Sequence, residues 1–230
     1  MKQVRKNGDF LILGKYYLYN NLWGEDTGLG TQCIGGTSLN GSSIAWETRW
    51  NWKGQSNAIK SYSAAVLGWH WGWKVSNTGL PVRLSLIKNI HTAWEFKLIQ
   101  NNPGKVNVTY DIWLSDNPRY VNEDPTGEIM IWLYKTGNII PIGVLHSGKI
   151  IAGTGWYLWK GNHPISGWPV YSFVRKENTN SQSFDLMNFF RDLFSHGLRN
   201  SDYLLSIEAG IEVLTGSGKL DTALYSVDIG

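Results

Sequence analysis

About a dozen short strand-like runs, separated by Gly, Asn and Pro punctuation and following no repeat period, constrain this 230-residue chain more than any other feature. They fall at 15–19, 43–52, 65–75, 84–90, 93–100, 106–114, 128–134, 149–152, 155–160, 169–175, 203–214 and 222–229. That pattern predicts an all-β fold, a two-sheet β-jelly-roll sandwich. Residues 115–126 read as a long loop feeding the strand that begins at Glu128. One segment breaks the pattern. With Ser183 as N-cap and Asp185 in the first turn, Leu186, Phe189, Phe190, Leu193 and Phe194 recur at helical spacing until Gly197. The spacing predicts one amphipathic helix, about 184–196, with its Phe-rich face in the core. No linker or low-complexity segment interrupts the chain, so a single domain over 1–230 is expected.

Composition narrows the function. The net charge is only +3 and the basic residues are scattered, which does not imply nucleic acid. No apolar run reaches the length of a membrane span, and the apolar piece Phe10 to Leu13 is too brief for a signal-peptide core. The single cysteine, Cys33, excludes an intrachain disulfide and a thiolate metal cluster; it reads as a small buried side chain. His70, His91, His146, His163 and His196 form no spaced ligand pair, and HExxH, GxSxG, P-loop and dinucleotide motifs are absent. The 13 Trp, 11 Tyr and 26 Gly suit a β-rich protein that handles carbohydrate on aromatic platforms.

The chemistry lies in carboxylates carried by strands. In Gly127-Glu128-Ile129-Met130-Ile131-Trp132-Leu133, alternation puts Ile129, Ile131 and Leu133 on a core face and Glu128, Met130 and Trp132 on the other. A lone carboxylate in a core is costly, so Glu128 is expected to face a groove. In residues 207–214, Ile207, Ala209, Ile211 and Val213 share one face, and Glu208 and Glu212 the other. Two carboxyl groups facing each other across a groove are what glycoside hydrolysis requires; periodicity leaves Glu208 and Glu212 equally eligible. Asp111, beside Trp113 and opposite Tyr110, Ile112 and Leu114, is a third such carboxylate, able to tune a neighbour's ionisation. Trp69, Trp71 and Trp73 alternate as a ladder that either fills the space between sheets or lines a sugar cleft. His70, on the opposite face, shows no partner and is expected to have neither a catalytic nor a metal-binding role.

With these residues in view, the chain resembles glycoside hydrolase family 12, the small jelly-roll endoglucanases and xyloglucanases. The resemblance runs nearly end to end through Tyr19-Asn20-Asn21-Leu22-Trp23-Gly24, Asn57-Ala58-Ile59-Lys60-Ser61-Tyr62, Tyr110-Asp111-Ile112-Trp113 and Glu128-Ile129-Met130-Ile131-Trp132-Leu133. It continues through Pro141-Ile142-Gly143, Val170-Tyr171-Ser172-Phe173, Asn188-Phe189-Phe190 and Gly210-Ile211-Glu212-Val213-Leu214-Thr215-Gly216. What it implies is a concave substrate cleft and a retaining mechanism, with Glu128 as nucleophile, Glu212 rather than Glu208 as acid/base, and Asp111 hydrogen-bonded to the nucleophile. Trp23 matches an indole that stacks on a sugar, and Asn21, Met130, Trp132 and Pro141 match positions lining the cleft. Two features depart from the family pattern: Cys33 lacks the partner of a common disulfide, and Ala209 and Ile211 stand where aromatic residues or Thr are usual.

The resemblance therefore implies an endo-acting β-1,4-glucanase for cellulose, mixed-linkage glucan or xyloglucan, with no metal and no cofactor. A catalytically silent lectin-like sandwich and a jelly-roll xylanase are the alternatives. Retention of both Glu128 and Glu212 disfavours the first and the order of motifs the second. A monomer is expected, with a β-glucan as its partner and neither membrane nor nucleic acid. A polymeric substrate argues for an exported protein whose signal has been removed, although an intracellular location stays open.

Overall fold

Residues 90–97 and 216–223 largely alternate between buried and more exposed side chains, as a sheet does when one face meets a core and the other meets water. Residues 106–115 and 127–133 are instead buried on both faces, so something other than open solvent covers their second face. The computed structural model, which describes residues 2–75, 77–119 and 123–230 (Trp73 and Lys74 by backbone alone), shows what that is.

The strands are β1 (Gln3–Val4), β2 (Phe10–Leu13), β3 (Tyr16–Tyr19), β4 (Gly28–Asn40), β5 (Ser43–Gly54), β6 (Ser61–His70), β7 (Trp73–Lys74), β8 (Val82–Arg83) and β9 (Ile90–Asn102). They continue as β10 (Val106–Ser115), β11 (Gly127–Lys135), β12 (Val144–Ile151), β13 (Thr154–Asn162), β14 (Pro169–Arg175), β15 (Ser181–Asp185), β16 (Tyr203–Val213) and β17 (Gly216–Ile229). One helix, α1 (Met187–Phe194), lies between β15 and β16. A six-stranded sheet has the order β1-β4-β5-β17-β9-β15. An eleven-stranded sheet has the order β12-β13-β14-β11-β10-β16-β6-β3-β2, with β7 on β6 and β8 on β16. The two sheets form the expected sandwich.

Between them lies the core. The larger sheet contributes Tyr110, Ile112, Ile129, Ile131, Ile207 and Ile211, the apolar faces expected from alternation. The smaller contributes Trp46, Trp94, Phe96 and Tyr225, and α1 adds Phe189, Phe190 and Leu193. Trp94 is central: its ring stacks on Trp46 at 6.0 Å, meets Tyr110 edge-on at 5.2 Å, and its N–H donates to Thr222 Oγ1 at 3.1 Å. The other face of β10, β11 and β16 is the one that carries the carboxylates.

Several boundaries differ from expectation for identifiable reasons. The helix starts at Met187, with Leu186 rather than Ser183 as N-cap, because residues 181–185 pair with β9 as an edge strand. Asp185 still serves the helix, accepting the Met187 N–H at 2.9 Å and the Ile90 N–H at 2.8 Å. The expected strand at 84–90 is a 3₁₀ turn, Leu84–Leu86, followed by the start of β9. The 13-residue β4 is absent from the sequence reading because its Gly-rich, polar composition has weak strand propensity; pairing to β1 and β5 stabilises it. Cys33 is buried and free.

Since Trp94 touches aromatic rings from both sheets, Trp94→Ala is expected to lower the unfolding free energy by about 3–5 kcal/mol, read from urea denaturation.

Candidate active site

β11, β10, β16 and β6 lie side by side, and their register sets the site. Glu128 sits opposite Trp113, Asp111 lies opposite Met130 on one side and Glu208 on the other, and Glu212 lies between Asn107 and Tyr62. Period two then places Glu128, Asp111, Glu208 and Glu212 on one face. Close approach of β16 and β6 helps: a Cβ at Gly210, midway between the two Glu residues, would lie 2.4 Å from the Ser63 carbonyl oxygen, so only glycine fits.

Over this face opens a cleft of about 840 Å³. Its lining includes Glu128, Glu212 and Asp111 together with Asn21, Trp23, Met130, Trp132 and Pro141, so the structure brings all eight expected site residues into one space. Trp23 is 60% exposed, an indole presented to whatever enters. Asn107 Oδ1, Trp113 Nε1 and Trp132 Nε1 are buried and have no protein hydrogen-bond partner, and all three residues line the cleft.

Burial dominates the electrostatics. It pushes Glu128 up to about 7, against a lowering hydrogen bond from Trp168, with Glu212 and then Glu208 adding to the rise. It pushes Glu212 up to about 7 as well, opposed by the Asn107 amide, which donates to Glu212 Oε2 at 2.5 Å. Asp111 is raised well above the carboxylate range, by burial first and then by Glu128, Glu208 and Glu212. No hydrogen bond joins Asp111 to Glu128 among the described residues. Asp111 Oδ1 is buried without a partner, so the two interact through their fields.

Glu208 and Glu212, indistinguishable by periodicity, have different surroundings. Glu212 lines the cleft, whereas Glu208 is 1% exposed and bonded to His70, Nδ1 to Oε1, at 2.7 Å. His70 therefore has the partner that the sequence did not show. It also lines the cleft, with its ring 4.9 Å from Tyr19 and 4.8 Å from Trp71. The expected period-two tryptophan strand is cut short, because β6 ends at His70 and the chain turns through Trp71 and Gly72, both with positive φ, although the Trp69 and Trp71 rings still lie 5.0 Å apart. Trp69 packs with Trp113, Trp168, Val170 and Leu205, Trp71 borders the cleft, and the Trp73 side chain lies outside the described residues. Asn107 and Trp168 also escaped the sequence reading. Asn107 shares the alternation of Asp111 and Trp113 and was within reach of that signal; Trp168 sits in a loop and carries none.

A two-sheet sandwich with buried carboxyl groups beneath an aromatic cleft has the architecture of a polysaccharide-cleaving enzyme. The sequence pattern of glycosyl hydrolase family 12 matches residues 14–230, and the chain belongs to that family of glycoside hydrolases. It is 37% identical over 226 residues to xyloglucan-specific endo-β-1,4-glucanase A of Aspergillus aculeatus, covering 96% of this chain and 88% of that protein. It is 34% identical over 233 residues to endoglucanase S of Pectobacterium parmentieri, covering 97% of this chain and 86% of that one. The native family 12 xyloglucanase from Bacillus licheniformis superposes with a TM-score of 0.90 at 32% identity, covering 100% of both chains.

The raised carboxyls have a stability cost with a definite sign. Between the unfolded value of 4.5 and about 7, the folded state keeps a proton on Glu212 that the unfolded chain releases, so this group makes stability fall as pH rises through that window. Glu212→Gln is expected to match wild type near pH 4 and to exceed it by about 2–3 kcal/mol at pH 8, measured by urea denaturation across pH.

Proposed function

We propose that this enzyme is a retaining endo-β-1,4-glucanase in which Glu128 is the nucleophile and Glu212 the acid/base. The observation that carries this reading is that two buried carboxyl groups on neighbouring strands line one cleft, each held by a neutral donor, Trp168 on Glu128 and Asn107 on Glu212. The charge of Glu212 disfavours ionisation of Glu128, so the pair favours one ionised and one neutral partner, as the reaction needs. Ionised Glu128 attacks the anomeric carbon while Glu212 gives its proton to the departing glycosidic oxygen. The glycosyl ester removes the Glu128 charge, which lowers Glu212's affinity for a proton and makes it a base. Glu212 then takes a proton from water as the water attacks the anomeric carbon, and Glu128 leaves as carboxylate. Two displacements return the original anomer. Asp111, kept neutral by burial first and then by its neighbours, lies beside the nucleophile without adding a negative charge there.

The cleft suits a glucan chain. Trp23 offers an exposed stacking face, and Asn21, Trp132 and Pro141 share the cleft with it. Xyloglucan heads the candidate substrates because several relatives are named for it, with unsubstituted β-1,4-glucan and mixed-linkage glucan beside it. No helix among the described residues is long and apolar enough to cross a membrane, and a polymeric substrate supports work outside the cell.

Reducing-sugar release from xyloglucan, barley β-glucan and carboxymethyl cellulose tests the reading. Glu128→Gln and Glu212→Gln are each expected to lower kcat by at least about a hundredfold, and proton NMR of early product to show the β-anomer first. An α-anomer first, or activity that survives both substitutions, excludes the mechanism. Binding without release by the wild type would favour the lectin-like alternative.

A further inference from the structure

The loop between β13 and β14 contributes the one described side chain that hydrogen-bonds to Glu128. Trp168 Nε1 donates to Glu128 Oε2 at 2.9 Å, and the indole is 8% exposed. Its placement follows from the register: β14 runs parallel to β11 with Val170 opposite Glu128, so the chain delivers Trp168 to the carboxylate just before β14 begins. We infer that Trp168 is a positioning residue, its indole N–H holding one oxygen of Glu128 so that the other faces the anomeric carbon.

The indole is braced on several sides. His163 lies parallel to it at 4.1 Å with an interplanar angle of 14°, Trp113 meets it edge-on at 5.8 Å, and Trp71 approaches at 6.5 Å. The loop is closed by its own hydrogen bonds, His163 N–H to the Trp168 carbonyl at 2.8 Å and Ser166 N–H to His163 Nδ1 at 3.1 Å. A donor fixed in this way costs little reorganisation as charge moves on its acceptor.

The inference rests on the reading of Glu128 as nucleophile. When Oε1 bonds to the anomeric carbon and the leaving oxygen takes the Glu212 proton, Oε2 becomes the ester carbonyl oxygen and still accepts the indole N–H. In the second step water attacks that carbon, its proton passes to Glu212, and the C–O electron pair returns to Glu128. The hydrogen bond becomes charge-assisted as the carboxylate departs, so the N–H favours breakdown of the ester. The groups facing Glu128 make this donor matter: Glu212 and Glu208 from β16 both oppose its charge, and Asp111 from β10 gives it no hydrogen bond among the described residues. Behind the indole stands His163, itself under the influence of Asp124.

Trp168→Phe keeps the ring and removes the donor. Its acid limb in kcat/KM is expected to move up by about one pH unit, with kcat down about tenfold and KM within about twofold of wild type. An unmoved limb with unchanged kcat overturns the inference. So does a rise in KM alone, which would make Trp168 a sugar platform. Should the variant misfold, the ¹⁵N-labelled wild type decides: the Trp168 indole N–H resonance is expected to shift with pH along the acid limb, and a resonance that stays fixed overturns the inference. Trapping with a 2-deoxy-2-fluoro-β-cellobioside followed by mass spectrometry tests the underlying reading separately. A label on a residue other than Glu128 removes the nucleophile assignment while the NMR titration still reports on the hydrogen bond.

Discussion

Asp111, Glu128, Glu208 and Glu212 are carried by three neighbouring strands, all facing away from the core and all nearly sealed from water. Four carboxyl groups this close cannot all be charged in a low-dielectric setting, so protons are retained among them. The structure distributes that constraint through a few hydrogen-bonding partners. Asn107 takes Glu212, Trp168 takes Glu128 and His70 takes Glu208, while Asp111 is left without a donor to its buried Oδ1. Asp111 is correspondingly raised well above the range of an ordinary carboxylate. The arrangement survives because the opposite face of the same strands is bound into the apolar core between the sheets, which fixes the register against the repulsion above it.

Glu208 has a place in this distribution although it lies outside the cleft lining. Its charge adds to the rise of both Glu128 and Asp111, and His70 is the group that answers it. With Nδ1 tied to Glu208, His70 turns its other nitrogen away from that bond, on a ring held between Tyr19 and Trp71. The positive φ values of Gly68, Trp71 and Gly72 mark the irregular turn that carries it there. The energetic logic is that of a buried pair: each member is tolerable because the other is present.

What the sequence made legible was whatever strand periodicity encodes. The core faces of β10, β11 and β16, the carboxylates opposite them and the sandwich itself follow from alternation, and the residues named with them line one cleft. What it concealed depends on turns and on competition between partners. Residues 181–185 have the signals of a helix start, yet their pairing with β9 outweighs those local preferences. β4 is stabilised by neighbours on two sides rather than by its own composition. Trp71 leaves the alternation of Trp69 because the backbone reverses there, and Trp168 reaches Glu128 through a parallel pairing between strands far apart in the chain. A pattern of period two carries no information about either event.

The two ends of the cleft consequently differ in kind. Trp23 follows β3 on the side where Asn21 and Tyr62 join β3 to β6, near Glu212, and it is largely free of packing. Near Glu128, by contrast, Trp71, Trp113, Trp168 and His163 touch one another in a continuous aromatic cluster. An exposed indole can stack on successive sugars with little demand on their orientation, because its face offers area and no directional bond. A braced cluster whose N–H is committed to a carboxylate cannot adjust without moving Glu128. On the proposed reading, tolerance for a repetitive chain resides at the Trp23 end, and geometric precision resides where the bond to carbon forms.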